Sequence, residues 1–278
     1  MARLVTTDAQ LRRHLPNIIA AVKGETPFIQ RIALFLSLAE DWVISTFTGE
    51  KVFSAVADGD APELHDPLAN LVVADALRRA IPALDIVLTP NGFAVVNTSN
   101  LAPASTQRVD RLVSSMLAHR DDCIAAILRA LPSAHGWLEI EQARYFAATL
   151  FPDLRIVDAV EVSAGSKWEK FLELHSRIID VEGSLAEEWF SPELMEALRQ
   201  ENIRGTLSVN RRTIAELIKA QIINFLRDGK LYSRRLVEIV NRIRIYDDDF
   251  PEWHRSDTAL IFSPPVFRNK KNSAGYFF

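Results

Sequence analysis

The sequence predicts a mainly α-helical protein: two related helical bundles arising by a diverged duplication, with a β-hairpin inserted in the first and an extended C-terminal arm after the second. Three observations carry that reading. Apolar residues recur at helical spacing through most of the chain, as in Phe28, Ile32, Phe35, Leu36, Ala39 and Val43. A phrase is written twice, LSLAEDWV at residues 36–43 and GSLAEEWF at residues 183–190, which suits a packing unit used twice better than a catalytic motif. Glycine is scarce, ten residues against a usual ~7%, and one stretch alone, IVLTPNGFAVV at 86–96, carries a strong hairpin signal.

The elements follow in order. After a short β-branched start at Leu4 to Thr6, Thr7 or Asp8 caps a helix that runs towards His14 and stops at Pro16. The stripe from Phe28 to Val43 forms the next helix, with Trp42 on its apolar side as a core residue and Gly49 breaking or capping it. A polar, proline-containing loop from Asp58 to Pro67 leads to a helix through Leu71, Ala74 and Ala76 to about Ala80. In the hairpin, Asn91-Gly92 is the pair that tolerates the positive φ angles of a type I′ turn. A long helix then carries Val109, Leu112, Met116, Ile124, Ile127 and Leu131 on one face, and Pro132 ends it.

Residues 1–132 thus read as an N-terminal bundle, and 133–165 as a connecting segment with a helix inside 140–150. The C-terminal bundle covers 166–260. Ser166 and Glu169 form an S-x-x-E capping box, and Trp168, Phe171, Leu172, Ile178, Ile179, Leu185 and Trp189 share one stripe behind it. Ser191-Pro192 restarts a short helix. Ile214 to Leu226 gives another, closed by Gly229, and Arg235 to about Ile245 the last. The third helices of the two halves begin alike, Arg111-Leu-Val and Arg235-Leu-Val, and each is followed by aspartates. The duplication predicts Trp42 and Trp189 in matching buried places. Trp137 and Trp253 lie near breaks, where they either pack helix ends or face a partner.

Composition narrows the function classes. With 48% hydrophobic and 24% charged residues and a net charge of −4, the chain has the balance of a globular protein and lacks the basic footprint of a general nucleic-acid binder. The lone Cys123 excludes an internal disulfide, which suits a reducing compartment. No signal peptide and no apolar run of about 18 residues is evident, so no membrane partner is expected. The phosphate-loop, dinucleotide, nucleophile-elbow and H-E-x-x-H signatures do not occur. His175 reads as a core residue and Cys123 as a buried, inert thiol. Asp247 to Asp249 would suit a hard cation, yet without an EF-hand pattern they read better as a solvated acidic turn at a helix end. No catalytic, cofactor-binding or metal-ligating residue is assigned, and the chain reads as a non-enzyme.

The opening Leu4-Val-Thr-Thr-Asp-Ala-Gln-Leu-Arg, the segment from Ala39-Glu40 through Gly49-Glu50, and the stretch Ala80-Ile-Pro-Ala-Leu-Asp-Ile-Val-Leu-Thr-Pro-Asn-Gly-Phe-Ala-Val-Val-Asn resemble an uncharacterised family from prophage and phage structural regions of gut bacteria. Asn100-Leu-Ala-Pro-Ala-Ser, Arg108-Val-Asp-Arg-Leu and Asn269-Lys-Lys-Asn-Ser-Ala-Gly-Tyr-Phe-Phe extend the likeness over nearly the whole chain. More loosely, the chain is similar to the helical head–tail connector (adaptor) proteins of tailed phages, which form a ring under the portal. The resemblance implies a virion structural protein of the head–tail junction, assembled in the bacterial host cytoplasm. Its partners would be the portal protein, neighbouring copies of itself in a ring, tail or further connector proteins, and genomic DNA; it implies no cofactor. The alternative is a soluble helical oligomeric scaffold or regulatory protein.

Two places suit contacts. One is the hairpin tip, Asn91, Gly92 and Phe93, either an interface element or a cover for its own bundle. The other is the tail, 261–278, where Pro264-Pro265 favour an extended backbone and Phe267, Tyr276, Phe277 and Phe278 keep company with Arg268, Lys270 and Lys271. The tail either docks on its own core or reaches a neighbouring subunit or the portal, with aromatic anchors and with basic residues meeting acidic surface or DNA.

Overall fold

The computed structural model describes residues 3–15, 26–84, 86–89, 92–95, 105–160 and 165–262, with the backbone alone at 86–89 and 92–95. The fold is mainly helical, and the chain divides into two compact units, Met1–Leu174 and His175–Phe278. The stretch 133–165, expected to connect two bundles, therefore falls inside the first unit.

In the first unit Thr7 caps α1 (Asp8–Arg13): its hydroxyl accepts the Gln10 amide, and the Gln10 side chain accepts the Thr7 amide. After α2 (Phe28–Arg31), α3 (Ala33–Val43) widens into a π-turn, Ile44–Thr48, in which the Gly49 amide donates to the Ile44 carbonyl. Gly49 has φ +61°, a conformation that breaks the helix and suits glycine. The chain continues as α4 (Gly49–Asp58), closed by left-handed Gly59, and α5 (Pro62–Leu84). The loop expected over 58–67 is shorter than predicted. Pro62 loses no bond at a helix start, Pro67 forgoes one early in the helix, and buried Leu64 and Leu68 extend the apolar face.

Strands β1 (Ile86–Thr89) and β2 (Gly92–Val95) pair antiparallel, with Ile86 opposite Val95 and Thr89 opposite Gly92. Gly92, expected in the turn, is therefore a paired residue, and Asn91, the other half of the expected turn, lies outside the described residues. The expected register would have placed Pro90 in the ladder, where it has no N–H to donate. Next come α6 (Thr106–Ala130), which packs along α5, two 3₁₀ turns (Leu131–Ser133 and Trp137–Glu139), α7 (Glu141–Ala147), α8 (Arg155–Val160) and α9 (Lys167–Leu185). The division between the units falls within α9.

In the second unit α9 also ends in a π-turn, Ala186–Phe190, followed by Ser191 at φ +66°. Then come α10 (Pro192–Arg204), closed by left-handed Gly205, α11 (Val209–Asp228), closed by Gly229, α12 (Ser233–Ile245), a 3₁₀ turn at Asp247–Asp249, α13 (Pro251–His254) and α14 (Asp257–Phe262).

A helix that stops leaves its last carbonyls without amide partners. Each unit meets this with an indole. Trp137 Nε1 donates to the Phe47 carbonyl at 2.7 Å, and Trp253 Nε1 donates to the Trp189 carbonyl at 3.0 Å. Both donors are 1% exposed. Phe146 lies 5.9 Å from Phe47 and 6.3 Å from Trp137; Phe262 lies 5.6 Å from Trp189 and 6.2 Å from Trp253. A buried carboxylate precedes each π-turn. Glu40 accepts the Arg3 and Leu4 amides, and Glu182 accepts Arg199 Nε at 2.7 Å.

These contacts correct the expectation for the repeated tryptophans. Trp42 and Trp189 are both half-buried and do not match: Trp189 stands beside its indole donor where Phe47 does, five residues beyond Trp42. The fully buried tryptophans are Trp137 and Trp253, which pack the helix ends.

The π-turns give three expectations for stability. Replacing Trp137 or Trp253 by Phe keeps a ring but strands a buried carbonyl, so each is expected to cost about 1–3 kcal/mol in denaturant titrations. A Phe variant as stable as wild type would show that the indole bond contributes nothing. Gly49→Ala is expected to destabilise by about 1–3 kcal/mol, because an L-residue is strained there and its methyl would sit 3.2 Å from Gln142 Oε1. Ser191→Gly is expected to have the opposite sign, a gain of up to about 1 kcal/mol, since it relieves the same strain and forfeits only the hydroxyl's cap on the Leu194 amide. A clearly lower melting temperature for Ser191→Gly would show that the cap outweighs the strain.

Candidate functional site

The first π-turn also shapes a cleft of about 480 Å³, bounded by the end of α3, by α7 and by the start of α9. Trp42, Tyr145, Trp168 and Leu172 supply its apolar and aromatic surface; Ser45, Thr46, Glu141 and Gln142 supply its polar edge. The wider π-turn sets Ser45 and Thr46 facing α7, where Gln142 Nε2 donates to the Ser45 carbonyl at 3.3 Å. Trp168 is buried against Phe47 (5.1 Å between ring centres) and Phe171 (5.8 Å), and Trp42 meets it edge-on at 6.5 Å. Tyr145 and Leu172 remain 40% and 42% exposed, so the mouth is open to a ligand side chain.

The start of α9, and with it Trp168, is pinned by a buried polar network. Asp121 Oδ2 accepts the Lys167 amide at 2.6 Å, and Ser166 Oγ accepts the Glu169 amide at 3.2 Å, which is one arm of the predicted capping box. Buried Arg120 donates to Ser166 Oγ at 2.8 Å and to Asp121 at 3.2 Å, lies 3.8 Å from Asp75, and places its guanidinium 5.9 Å from the Trp42 ring. Fully buried Asp75 is further held by Arg78 and Arg79. Burial also raises the Tyr145 hydroxyl above the usual phenol range, so it stays protonated at neutral pH. The cleft offers aromatic faces, amides and one carboxylate, Glu141. This is recognition chemistry, suited to an aromatic or aliphatic side chain with a cation beside it.

Most residues named from the sequence as contact candidates lie outside the described ones. Asn91, Phe267, Arg268, Lys270, Lys271, Tyr276, Phe277 and Phe278 fall outside the described residues, and Gly92 and Phe93 are placed by backbone alone. Sequence reasoning passed over the cleft. It also passed over a signal for the buried indoles: WLEIEQARYF at 137–146 and WHRSDTALIF at 253–262 place Trp and Phe at one spacing.

The second unit holds a more polar cavity of about 660 Å³ lined by Gln221, Asn224, Tyr232, Arg234, Arg235 and Glu238, where both arginines lie near the Glu238 carboxylate. The aspartate turn serves the fold: Asp249 accepts Asn210 Nδ2 at 2.6 Å, Arg211 donates to the Asp249 carbonyl, and His254 Nε2 lies 3.3 Å from Asp247. Among the described residues no group of three or more His, Cys, Asp or Glu could hold a metal ion. None of the described helices is long and apolar enough to cross a membrane. His175 is buried, as expected for a core histidine.

Cys123 is buried too, and burial, reinforced by Asp122, pushes its thiol up to about 11. A raised thiol pKa means that the folded chain keeps the proton. The resulting stabilisation is present below about pH 9 and is lost as the pH rises through about 11. At pH 8 a thiol-specific disulfide reagent is expected to label folded protein about a hundredfold more slowly than unfolded chain. Equal rates would place the thiol at the surface.

Residues 25–147 match the model of a family of unknown function, DUF6712. That span runs from just before α2 to the end of α7, so it takes in the first π-turn, its indole donor and the α3 and α7 walls of the cleft. No curated protein and no solved structure matches the chain.

Proposed function

We propose that the protein is a non-enzymatic virion structural component, a ring-forming connector of the head–tail junction that docks on the portal and offers a platform for the tail. The observation that carries this reading is the surface of α14. Leu260 and Ile261 are 68% and 71% exposed, next to one another, and lead directly into the aromatic and basic residues 263–278. Adjacent exposed apolar residues at the root of such a segment favour a contact with another chain. The chemistry of the interior agrees: Glu40, Asp75, Asp121, Glu182 and Arg211 are buried, and their polar atoms hold chain segments together.

We also infer a diverged duplication, in a form different from the one the repeated phrase suggests. Its support is the shared plan of the units: a buried glutamate, a π-turn, a positive-φ residue, a helix closed by a left-handed glycine, and a returning Trp and Phe. Equivalence on that plan pairs Phe47 with Trp189, Gly49 with Ser191, Trp137 with Trp253 and Phe146 with Phe262. The β-strand pair is then an insertion in the first copy.

The test is assembly. Light scattering on the full chain is expected to give a ring-sized mass, alone or on purified portal. Leu260→Ser with Ile261→Ser is expected to abolish retention by the portal while leaving the melting temperature within a few degrees of wild type, because surface substitutions usually change stability by no more than ~0.5 kcal/mol. A wild-type monomer that the portal never retains would overturn the connector reading and favour a soluble helical scaffold or regulator.

A further inference from the structure

We infer that the aromatic cleft of the first unit receives residues 263–278 of a second copy of this chain, so that copies join head to tail. The inference rests on the assembly reading above and supplies the receptor that it lacks. The cleft is an aromatic groove with a carboxylate at its edge. Trp42, Tyr145 and Trp168 form its faces, and Glu141, one turn before Tyr145, brings its carboxylate to the rim. The nearby cations are Arg144, Lys167, Lys170 and Arg120. Arg144 is exposed, Lys167 is paired with Asp158, Lys170 with Glu173, and Arg120 is buried among Asp75, Asp121 and Ser166.

Residues 263–278 are the complement. They carry Phe267, Tyr276, Phe277 and Phe278 with Arg268, Lys270 and Lys271, and no acid. A volume of about 480 Å³ lies within the range of small-ligand sites and accommodates aromatic side chains. Extended, the segment reaches up to roughly 50 Å, enough to cross from one molecule to another. Cleft and segment are different surfaces, so joining them between copies makes a heterologous interface, which gives a ring where its rotation closes and a filament where it does not. Exposed Leu260 and Ile261 at the root of the segment would be covered by the same contact.

Complementation of two full-length variants tests this. One strips contact surface from the cleft with Tyr145→Ala and Leu172→Ala; the other removes anchors with Phe277→Ala and Phe278→Ala. Each alone is expected to self-associate at least ~tenfold more weakly than wild type, as loss of interface anchors does. Mixed, they restore one intact interface and give a heterodimer but no larger species. Glu141→Lys, an exposed position, is a second cleft variant that does not disturb packing, and is expected to weaken association most at low salt. Self-association that survives both cleft variants overturns the inference and leaves the assembly reading standing. A monomeric wild type overturns both. If the anchor variant changes Trp42 and Trp168 fluorescence identically at every concentration, with no heterodimer on mixing, the segment docks within its own chain and the inference fails.

Discussion

Both units depend on one constraint: a helix that stops inside a hydrophobic interior must not leave its carbonyls bare. The π-turns of α3 and α9 admit large aromatic residues into the core and bend the chain sharply at Gly49 and Ser191, but they free carbonyl groups far from water. The remedy is an indole, the bulky side chain that combines a large apolar body with one donor. Trp137 and Trp253 fill the space beside the turn and satisfy the carbonyl with the same ring. The short turns that carry them, and the helices α7 and α14 behind, are placed by that requirement.

A second constraint shapes the first unit. Asp75, Arg120 and Asp121 are buried charges, costly to take from water unless each is paired and hydrogen-bonded. Here the network joins α5, α6 and the first turn of α9, and replacing one member would leave the others unpaired in the interior. It fixes where Trp168 stands, and so the depth of the aromatic cleft. Buried ionic chemistry and the candidate binding surface are thus one piece of construction.

Much of the fold was legible because helical periodicity and end signals are local. Thr7, Ser166, Ser191 and Gly229 all mark helix ends through bonds or backbone angles set within a few residues. The π-turns were not legible, since one inserted residue leaves apolar spacing nearly unchanged. The written phrase misleads as well: SLAE-acid-Trp aligns Trp42 with Trp189, whereas the bonds align Phe47 with Trp189. The cleft was illegible for a different reason. Trp42, Tyr145 and Trp168 come from three separated segments, and only tertiary packing brings them to one surface. The boundary expected after residue 132 rested on Pro132 ending a helix, but Trp137 draws the following segment back to the π-turn.

The indole bonds also set an order in time. Trp137 lies ninety residues beyond Phe47, and Trp253 sixty-four beyond Trp189. On a ribosome adding about 5–20 residues each second, the first π-turn waits roughly 5–18 s for the donor that completes it. During that interval its carbonyls and the ring of Phe47 are uncovered, and α3 can form as a helix but cannot end as it does in the finished chain. The first π-turn is therefore completed only after the stretch between residues 48 and 137 has been made, and the nascent chain is most in need of protection during that interval.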